Sequence, residues 1–282
     1  MPELPEVETV VRRLGEVLPG RVIEKIEVLR DKSFQGQPNR LKAQQITGVS
    51  RRAKMIHIHL DGDHDLLVHL KMTGQLIFVG DGQKVGGGHP TGDWVNQLPS
   101  SHTRVVITFK DDSILYFNDM RVFGWIRALD QQAIEKEFDC YGPDANSNEV
   151  TVDYFKKVFA HRSIPIKQAI MDNRLLSGVG NIYASEALFF AGVHPQRPAK
   201  SLTDLEWKKL HEVTKMVLDR GIKAGGTTFD GKYVNADGLA GRYQDQLMVY
   251  GKAGEVCKNC GTKIEKIKLG GRGTYFCPQC QG

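Results

Sequence analysis

Apolar residues near the start of the chain recur with the spacing of one helix face. They are Val7, Val10, Val11, Leu14, Val17 and Leu18. Pro19 and Gly20 end the run, because neither residue continues a helix readily. The pattern predicts an amphipathic helix that packs on a core, with Pro2 and Glu3 lying just before its first turn.

A long stretch with the composition of β-strands follows this helix. The segments cover residues 22–28, 55–60, 66–70, 104–110 and 114–117, the last two as a hairpin. Because no helical pattern separates them, they favour antiparallel sheets in a sandwich or a barrel. Residues 80–101 contain three consecutive glycines and two prolines, and we expect them to form a surface loop or an insertion.

Helical patterns dominate the second half of the chain, after a shift in composition near residues 141–144. Helices are predicted over residues 151–160, 165–172, 181–191 and 202–218. The last one places Leu202, Leu205, Leu210, Val213 and Val217 on one face, with Ser201 or Thr203 as its cap. A glycine-rich segment over 225–241 is expected to be a mobile loop. We predict three domains, over residues 1–140, 141–250 and 251–282.

Charge divides the chain unevenly, although its net charge is only +5. Residues 1–150 hold 18 Lys and Arg against 21 Asp and Glu, and residues 151–282 hold 20 against 12. The resulting net charges of −3 and +8 favour the second half as the part that binds a polyanion, with a merely basic soluble domain as the alternative.

Acidic residues occupy the place of a signal peptide, and no apolar run approaches a membrane span. We expect no membrane partner and a cytoplasmic location, associated with the nucleoid.

Two Cys-x-x-Cys pairs close the chain, Cys257 with Cys260 and Cys277 with Cys280, separated by 16 residues. This spacing supplies four thiolates to one tetrahedral zinc ion, and the cytoplasmic context disfavours two disulfides. Arg272 lies among glycines in the predicted hairpin turn between the pairs, where a phosphate is its natural partner. A purely structural or protein-binding zinc ribbon is the alternative.

Pro2 becomes chemically special if Met1 is removed, because it then carries a free secondary amine. An α-amino group titrates near pH ~8, so a useful fraction is unprotonated at neutral pH. Such amines form Schiff bases with electrophilic carbons, and two carboxylates, Glu3 and Glu6, stand beside this one. The alternative is a start segment that only frays or begins a helix.

The chain resembles the bacterial formamidopyrimidine-DNA glycosylase family over essentially its whole length. The matching blocks are residues 2–6, 51–54, 69–74, 119–124, 171–173, 178–186, 225–228 and 249–251, followed by the four cysteines. The resemblance implies an α+β multidomain fold: an antiparallel β-sandwich with an N-terminal helix, a helix–two-turn–helix domain with a lesion-recognition loop, and a four-cysteine zinc ribbon. It implies a monomer that holds damaged duplex DNA in a cleft between its halves.

The activity implied by the resemblance is excision of 8-oxoguanine and formamidopyrimidines, followed by β,δ-elimination at the abasic site. Pro2 would attack the C1′ carbon, and Glu3 would protonate the sugar ring oxygen. Glu6 would hold the amine or shuttle a proton. Lys54 would serve β-elimination, and Arg272 would serve δ-elimination and grip a phosphate.

Further residues match the family's contacts with DNA. Met72, Arg121 and Phe123 would fill the gap left by the extruded base. Additional DNA contacts implied by the resemblance are His102, Arg162, Lys167 and Asn181. The chain departs from the family in the long 80–101 loop, around His102, and at Ser163. A glycosylase for oxidised pyrimidines and a catalytically silent zinc-containing DNA-binding protein remain the alternatives.

Overall fold

The structure is a computed structural model that describes residues 1–88, 97–227 and 241–282. The chain divides into two compact units, Met1–Cys140 with Ala224–Gln244, and Tyr141–Lys223 with Asp245–Gly282. The boundary expected near residue 141 is a break between units. The division otherwise differs from the three predicted domains 1–140, 141–250 and 251–282, because residues 224–244 join the first unit and the four-cysteine segment belongs to the second.

Helix α1, Leu4–Val17, begins the first unit as predicted. Its start is a capping box, in which Glu3 and Glu6 each accept a hydrogen bond from the other's backbone amide. Pro5 occupies the first turn, where its missing N–H costs nothing. The face formed by Val7, Val10, Val11 and Leu14 is buried.

Two five-stranded sheets follow within the described part of the first unit. Their strands are β1 Ile23–Val28, β2 Phe34–Gln35, β3 Ile46–Arg52, β4 Met55–Leu60, β5 His64–His69, β6 Gly74–Gly80, β7 Gln83–Gly88, β8 Thr103–Phe109, β9 Ile114–Asp119 and β10 Trp125–Asp130. The orders are β1-β8-β9-β6-β7 and β2-β10-β5-β4-β3. Neighbours are antiparallel apart from the parallel pair β2 and β10.

One apolar core joins both sheets with α1, so the predicted sandwich and its N-terminal helix are confirmed. Ile56 and Val68 come from one sheet, and Leu76 and Phe117 come from the other. Helix α1 packs against β3 and β7, which end their respective sheets. The helix therefore closes one side of the sandwich and ties the start of the chain to the core.

The surface loop predicted over residues 80–101 is wrong for its first part, which forms strand β7 with a buried Val85. The glycines that suggested a loop are required by close packing against β6. A Cβ at Gly86 would lie 2.7 Å from the carbonyl oxygen of Leu76, and one at Gly88 would lie 2.3 Å from that of Gly74. Residues 89–96 lie outside the described part of the chain.

The second unit is helical, as predicted. Its helices are α3 Val152–Phe159, α4 Ile166–Ile170, α5 Asn181–Ala191 and α6 Asp204–Lys223, while α2, Gln131–Phe138, belongs to the first unit. Helix α6 is capped by Thr203, whose hydroxyl accepts from the Glu206 amide over 3.3 Å. The predicted apolar face is wrong at Leu205, which is 80% exposed, because Trp207, Leu210, Val217 and Leu218 form the buried face instead.

The C-terminal segment forms a hairpin of β11, Glu265–Leu269, and β12, Arg272–Phe276. Its two-residue turn is Gly270–Gly271, with φ of 55° and 76°, a conformation that favours glycine. Arg272 is therefore the first residue of β12.

Of the loop predicted over 225–241, residues 228–240 lie outside the described residues. Among the helices that the structure describes, none combines the length and apolarity that crossing a membrane requires.

Candidate active site

The start of the chain is held by a network centred on Glu6. One carboxylate oxygen of Glu6 accepts from the Glu3 amide over 2.8 Å, and the other accepts from the Thr227 amide over 2.8 Å. Pro2, Glu3 and Glu6 are all buried. The candidate nucleophile therefore lies on an ordered helix start rather than on a frayed tail, and Glu6 connects it to the segment that begins at Ala224.

Lys54 lies in the tight two-residue turn between β3 and β4, in which the preceding Ala53 has a φ of 55°. Arg51 fastens this turn to α1. Its Nε donates to Glu8 over 2.8 Å, and its Nη1 donates to the Ala53 carbonyl over 2.8 Å. Burial alone would raise the pKa of Glu8, but its hydrogen bonds with Arg51 and Arg12 hold that pKa below the ordinary value. Lys54 itself is buried.

His69, at the end of β5, is a further candidate site residue that the sequence pattern does not single out. Its Nδ1 accepts from the Lys71 amide over 3.0 Å. Burial, aided by the positive charges of Lys71, Lys54 and Arg127, lowers the pKa of His69 to about 3. The imidazole is therefore neutral at physiological pH beside the candidate lysine. A buried histidine near a lysine of distant sequence position leaves no pattern in the sequence.

Asp119 organises the turn that carries Arg121 and Phe123. One of its carboxylate oxygens accepts from the Arg121 amide over 3.1 Å and from the Thr73 hydroxyl. The other accepts from the amides of Phe123 and Gly124, over 2.7 and 2.6 Å. Asp119 is fully buried, so these four donors satisfy a carboxylate that water does not reach. Sequence reasoning missed this role as well.

The side chains around this turn face solvent. Phe123 is 53% exposed and Met72 is 41% exposed, so neither is a core residue. The Arg121 guanidinium lies 4.7 Å from the centre of the Phe123 ring, a cation–π arrangement. His102 is half-buried nearby, and its carbonyl accepts from the Asp119 amide over 2.9 Å. Exposed apolar side chains next to an arginine are the groups expected to enter a DNA stack.

In the second unit, Lys167 and Asn181 form one hydrogen-bonded group with the hairpin. Lys167 Nζ donates to Asn181 Oδ1 over 2.7 Å and to the Thr274 hydroxyl over 2.9 Å. Asn181 Nδ2 donates to the Gly273 carbonyl over 3.0 Å. Lys167 is only 2% exposed, so its geometry favours positioning Asn181, at the start of α5, over a direct contact with DNA.

A cavity lies beside this group. It is lined by Lys167, Gln168, Met171, Asn181, Leu269, Gly270 and Arg272. Arg272 is exposed, and a Cβ at the adjacent Gly271 would meet no atom within 4 Å, which leaves space for a ligand backbone to approach. Arg162 is half-buried in the segment just after α3, and its Nε donates to the Val158 carbonyl over 2.8 Å.

The four cysteines meet at one point, with their sulfur atoms within 4.8 Å of one another. Cys257 and Cys280 are separated by 3.9 Å between sulfurs, and Cys260 and Cys277 by 3.4 Å. Ligands about 2.3 Å from a tetrahedral zinc ion lie about 3.8 Å apart, so the cluster fits one structural zinc. The zinc ribbon packs on α5 through Phe189, Val249 and Ile264, which share a core with two of the cysteines.

Three families match successive parts of the chain. The formamidopyrimidine-DNA glycosylase N-terminal domain matches residues 1–126, and the H2TH domain of the same glycosylases matches residues 141–232. A zinc finger found in FPG and IleRS matches residues 254–282.

Full-length relatives and solved structures agree with these matches. Formamidopyrimidine-DNA glycosylases of Heliobacterium modesticaldum and Listeria innocua are 36% and 38% identical over 288 residues, with 100% of each chain covered. A solved complex of Lactococcus lactis Fpg with DNA containing an abasic site is 31% identical, with a TM-score of 0.86 and 99% of both chains covered. Its complex with DNA containing N7-benzyl-Fapy-dG gives the same three values.

Proposed function

This chain belongs to the formamidopyrimidine-DNA glycosylase family and is a base-excision DNA repair glycosylase, and we propose that it acts through the amine of Pro2. Its substrates are oxidised purines in duplex DNA, namely 8-oxoguanine and formamidopyrimidines. After base removal, it cleaves the abasic site by β,δ-elimination. The observation that carries this proposal is the buried capping box at the start of α1, which fixes Pro2 and Glu3 in place.

The chemistry begins when removal of Met1 frees the Pro2 nitrogen. This nitrogen forms a bond to the C1′ carbon, the glycosidic bond breaks, and the base leaves with its electron pair and takes up the proton that the amine loses. Glu3 gives a proton to the sugar ring oxygen as the bond between C1′ and that oxygen opens. A secondary amine yields a permanently cationic iminium, which accepts electrons during the eliminations.

Glu6 serves as a positioning residue in this scheme. Both of its oxygens already accept backbone amides, from Glu3 and from Thr227. This double engagement favours holding over proton shuttling, the two roles implied by the resemblance. It also connects the amine to the start of the segment that the resemblance assigns to lesion recognition.

Lys54 and Arg272 are proposed for the elimination steps. Lys54, buried on its turn, donates the proton that the departing 3′ oxygen requires and contacts a phosphate. Arg272 is exposed at the start of β12, where it grips a phosphate during the second elimination. The four-cysteine zinc holds the hairpin that carries Arg272 and leaves the reaction itself to the side chains.

DNA contacts complete the proposal. Met72, Arg121 and Phe123 fill the space of the extruded nucleotide, supported by their exposure beside the Asp119 turn. Asn181 binds a phosphate at the start of α5, with Lys167 positioning it. His102 and Arg162 are further contacts with DNA. One chain carries every residue of the scheme, so we propose a monomer that works at the nucleoid, where its substrate lies.

The deciding experiment is borohydride trapping on duplex DNA that contains 8-oxoguanine opposite cytosine. We expect a covalent adduct that peptide mapping assigns to Pro2, in protein whose intact mass lacks Met1. The matched control retains one extra residue before Pro2, which keeps the fold but turns the amine into an amide, and should give no adduct. An adduct on a lysine, or none with the Met1-free protein, would reject the proposed nucleophile. Faster excision from a duplex with an oxidised pyrimidine would reject the substrate class.

A further inference from the structure

The hairpin of β4 and β5 carries a polar cluster on the face that turns away from the sandwich core. Ile56, Ile58, Leu66 and Val68 belong to the core. Because side chains alternate along a strand, His57, His59 and Asp65 lie on the opposite face. The His57 ring approaches Phe138 of α2 at 6.0 Å between ring centres. No step of the proposed glycosylase reaction uses this cluster.

Three potential metal-ligand atoms converge in the cluster. His57 Nε2 lies 2.7 Å from Asp65 Oδ2, and His59 Nδ1 lies 3.5 Å from the same oxygen. The ligand atoms of all three residues lie within 4.8 Å of one another. Two histidines at i and i+2 on one strand, with a third ligand on the next strand, place three donors on one side of a metal ion.

In His59 and Asp65, the polar atom that does not face the cluster forms a hydrogen bond with the rest of the protein. Ser50 Oγ pairs with His59 Nε2 over 2.7 Å, which turns Nδ1 toward Asp65. The Leu60 amide donates to Asp65 Oδ1 over 2.8 Å, which leaves Oδ2 facing both imidazoles. Outer hydrogen bonds of this kind orient the ligands of natural metal sites.

We propose that His57, His59 and Asp65 form a second metal site, which binds a divalent transition metal ion such as Zn²⁺. Zinc ligands about 2.0 Å from a tetrahedral ion lie about 3.3 Å apart. The separations of 2.7 and 3.5 Å need only small side-chain shifts to reach that value. The ion would replace the hydrogen bond of His57 with Asp65 and clamp β4 to β5.

The donor set decides the class of ion. Two imidazole nitrogens and one carboxylate suit zinc and its transition-metal neighbours, whereas Ca²⁺ and Mg²⁺ prefer oxygen ligands alone. The His59 side chain is 37% exposed, so the site opens toward solvent and leaves room for water as a fourth ligand. A closed hydrogen-bonded triad without metal affinity is the competing interpretation.

Equilibrium dialysis of the tag-free full chain against Zn²⁺, with metal counted by mass spectrometry, tests the site. We expect about two zinc ions per chain in the parent and about one in His59→Asn and in Asp65→Asn. The matched control His64→Asn changes the histidine just before Asp65, which is not one of the clustered ligands, and should keep two. A thiol assay on the same samples shows whether the four cysteines retain their own ion.

Two further measurements test whether the His59 variant folds and whether zinc binds at the two histidines. Circular dichroism establishes that His59→Asn is folded, which the exposure of that side chain favours. In the parent alone, zinc beyond the first equivalent should shift the nitrogen resonances of the His57 and His59 rings. A parent that saturates at one ion per chain, or second-ion binding that survives in both folded ligand variants, would overturn the second site.

Discussion

Arg51 Nε donates a hydrogen bond to Glu8 over 2.8 Å and thereby joins β3, the strand that precedes Lys54, to α1, the helix that follows the proposed nucleophile Pro2. The same guanidinium holds the Ala53 carbonyl, one residue before Lys54. Arg51 is thus placed to set the position of the lysine relative to α1. A lysine at position 51 would keep the charge but lose the planar fork that serves both acceptors.

Arg51→Lys should therefore slow strand cleavage more than base excision, by about tenfold or more in single-turnover measurements, since small misplacements of a catalytic group are costly. Loss of the buried pair should also lower the free energy of unfolding by about 1–3 kcal/mol. The control is Arg12→Lys, which changes the other partner of Glu8 at a side chain that is 62% exposed. That variant should shift stability by less than about 0.5 kcal/mol. Equal effects of the two substitutions would contradict the positioning role.

Acidification should destabilise the first unit through His69. The folded pKa of about 3 lies below the ordinary value of 6.5, so the unfolded chain binds the extra proton first. The stability contribution is complete above pH 6.5 and is lost as the pH falls toward 3, by as much as about 5 kcal/mol. In His69→Asn, whose amide oxygen can replace Nδ1 as acceptor, unfolding free energy should depend less on pH in this window. His161→Asn, at an exposed position, should keep the parent's slope, and an unchanged slope in His69→Asn would refute the assignment.

Asp119→Asn should disorder the turn of Arg121 and Phe123. The substitution replaces a carboxylate that accepts four hydrogen bonds with an amide that presents its own N–H groups to some of those donors. We expect a loss of about 2–4 kcal/mol in unfolding free energy and weaker binding of duplex DNA that contains an abasic-site analogue. Asp112→Asn, at an exposed turn residue, is the control and should change neither quantity. If Asp119→Asn is less stable but binds DNA with unaltered affinity, the result would contradict a role of this turn in DNA binding.

Arg272→Ala should weaken DNA binding and strand cleavage while the protein keeps its zinc. The side chain is exposed at the start of β12 and contributes little to the hairpin itself, so folding should be preserved. Loss of one phosphate contact should also reduce the salt dependence of binding, by a slope of about 1. Lys258→Ala removes an exposed charge from the same zinc ribbon and should leave cleavage unaffected. Reduced zinc content in Arg272→Ala would show that the effect is structural instead.

The sequence by itself determined the features that depend on local patterns. The periodicity of α1, the strand-like segments and the paired cysteines are all readable within short windows, and the fold confirmed them. A zinc ligand set can also be predicted from the sequence, because two close cysteine pairs suffice to define it.

Only the tertiary structure decided which residues support the site. Several hydrogen bonds at the site join residues that are far apart in the sequence. The pairs are Glu8 with Arg51, 43 positions apart, Thr73 with Asp119, 46 apart, and Lys167 with Thr274, 107 apart. The glycines of β7 predict a loop, whereas close packing against the backbone of β6 requires them. Helical spacing predicts Leu205 on the buried face, but spacing alone does not show where burial begins, and Leu205 is exposed. Partners that come together only on folding leave no periodicity in the sequence, so their hydrogen bonds and shifted pKa values emerge from packing alone.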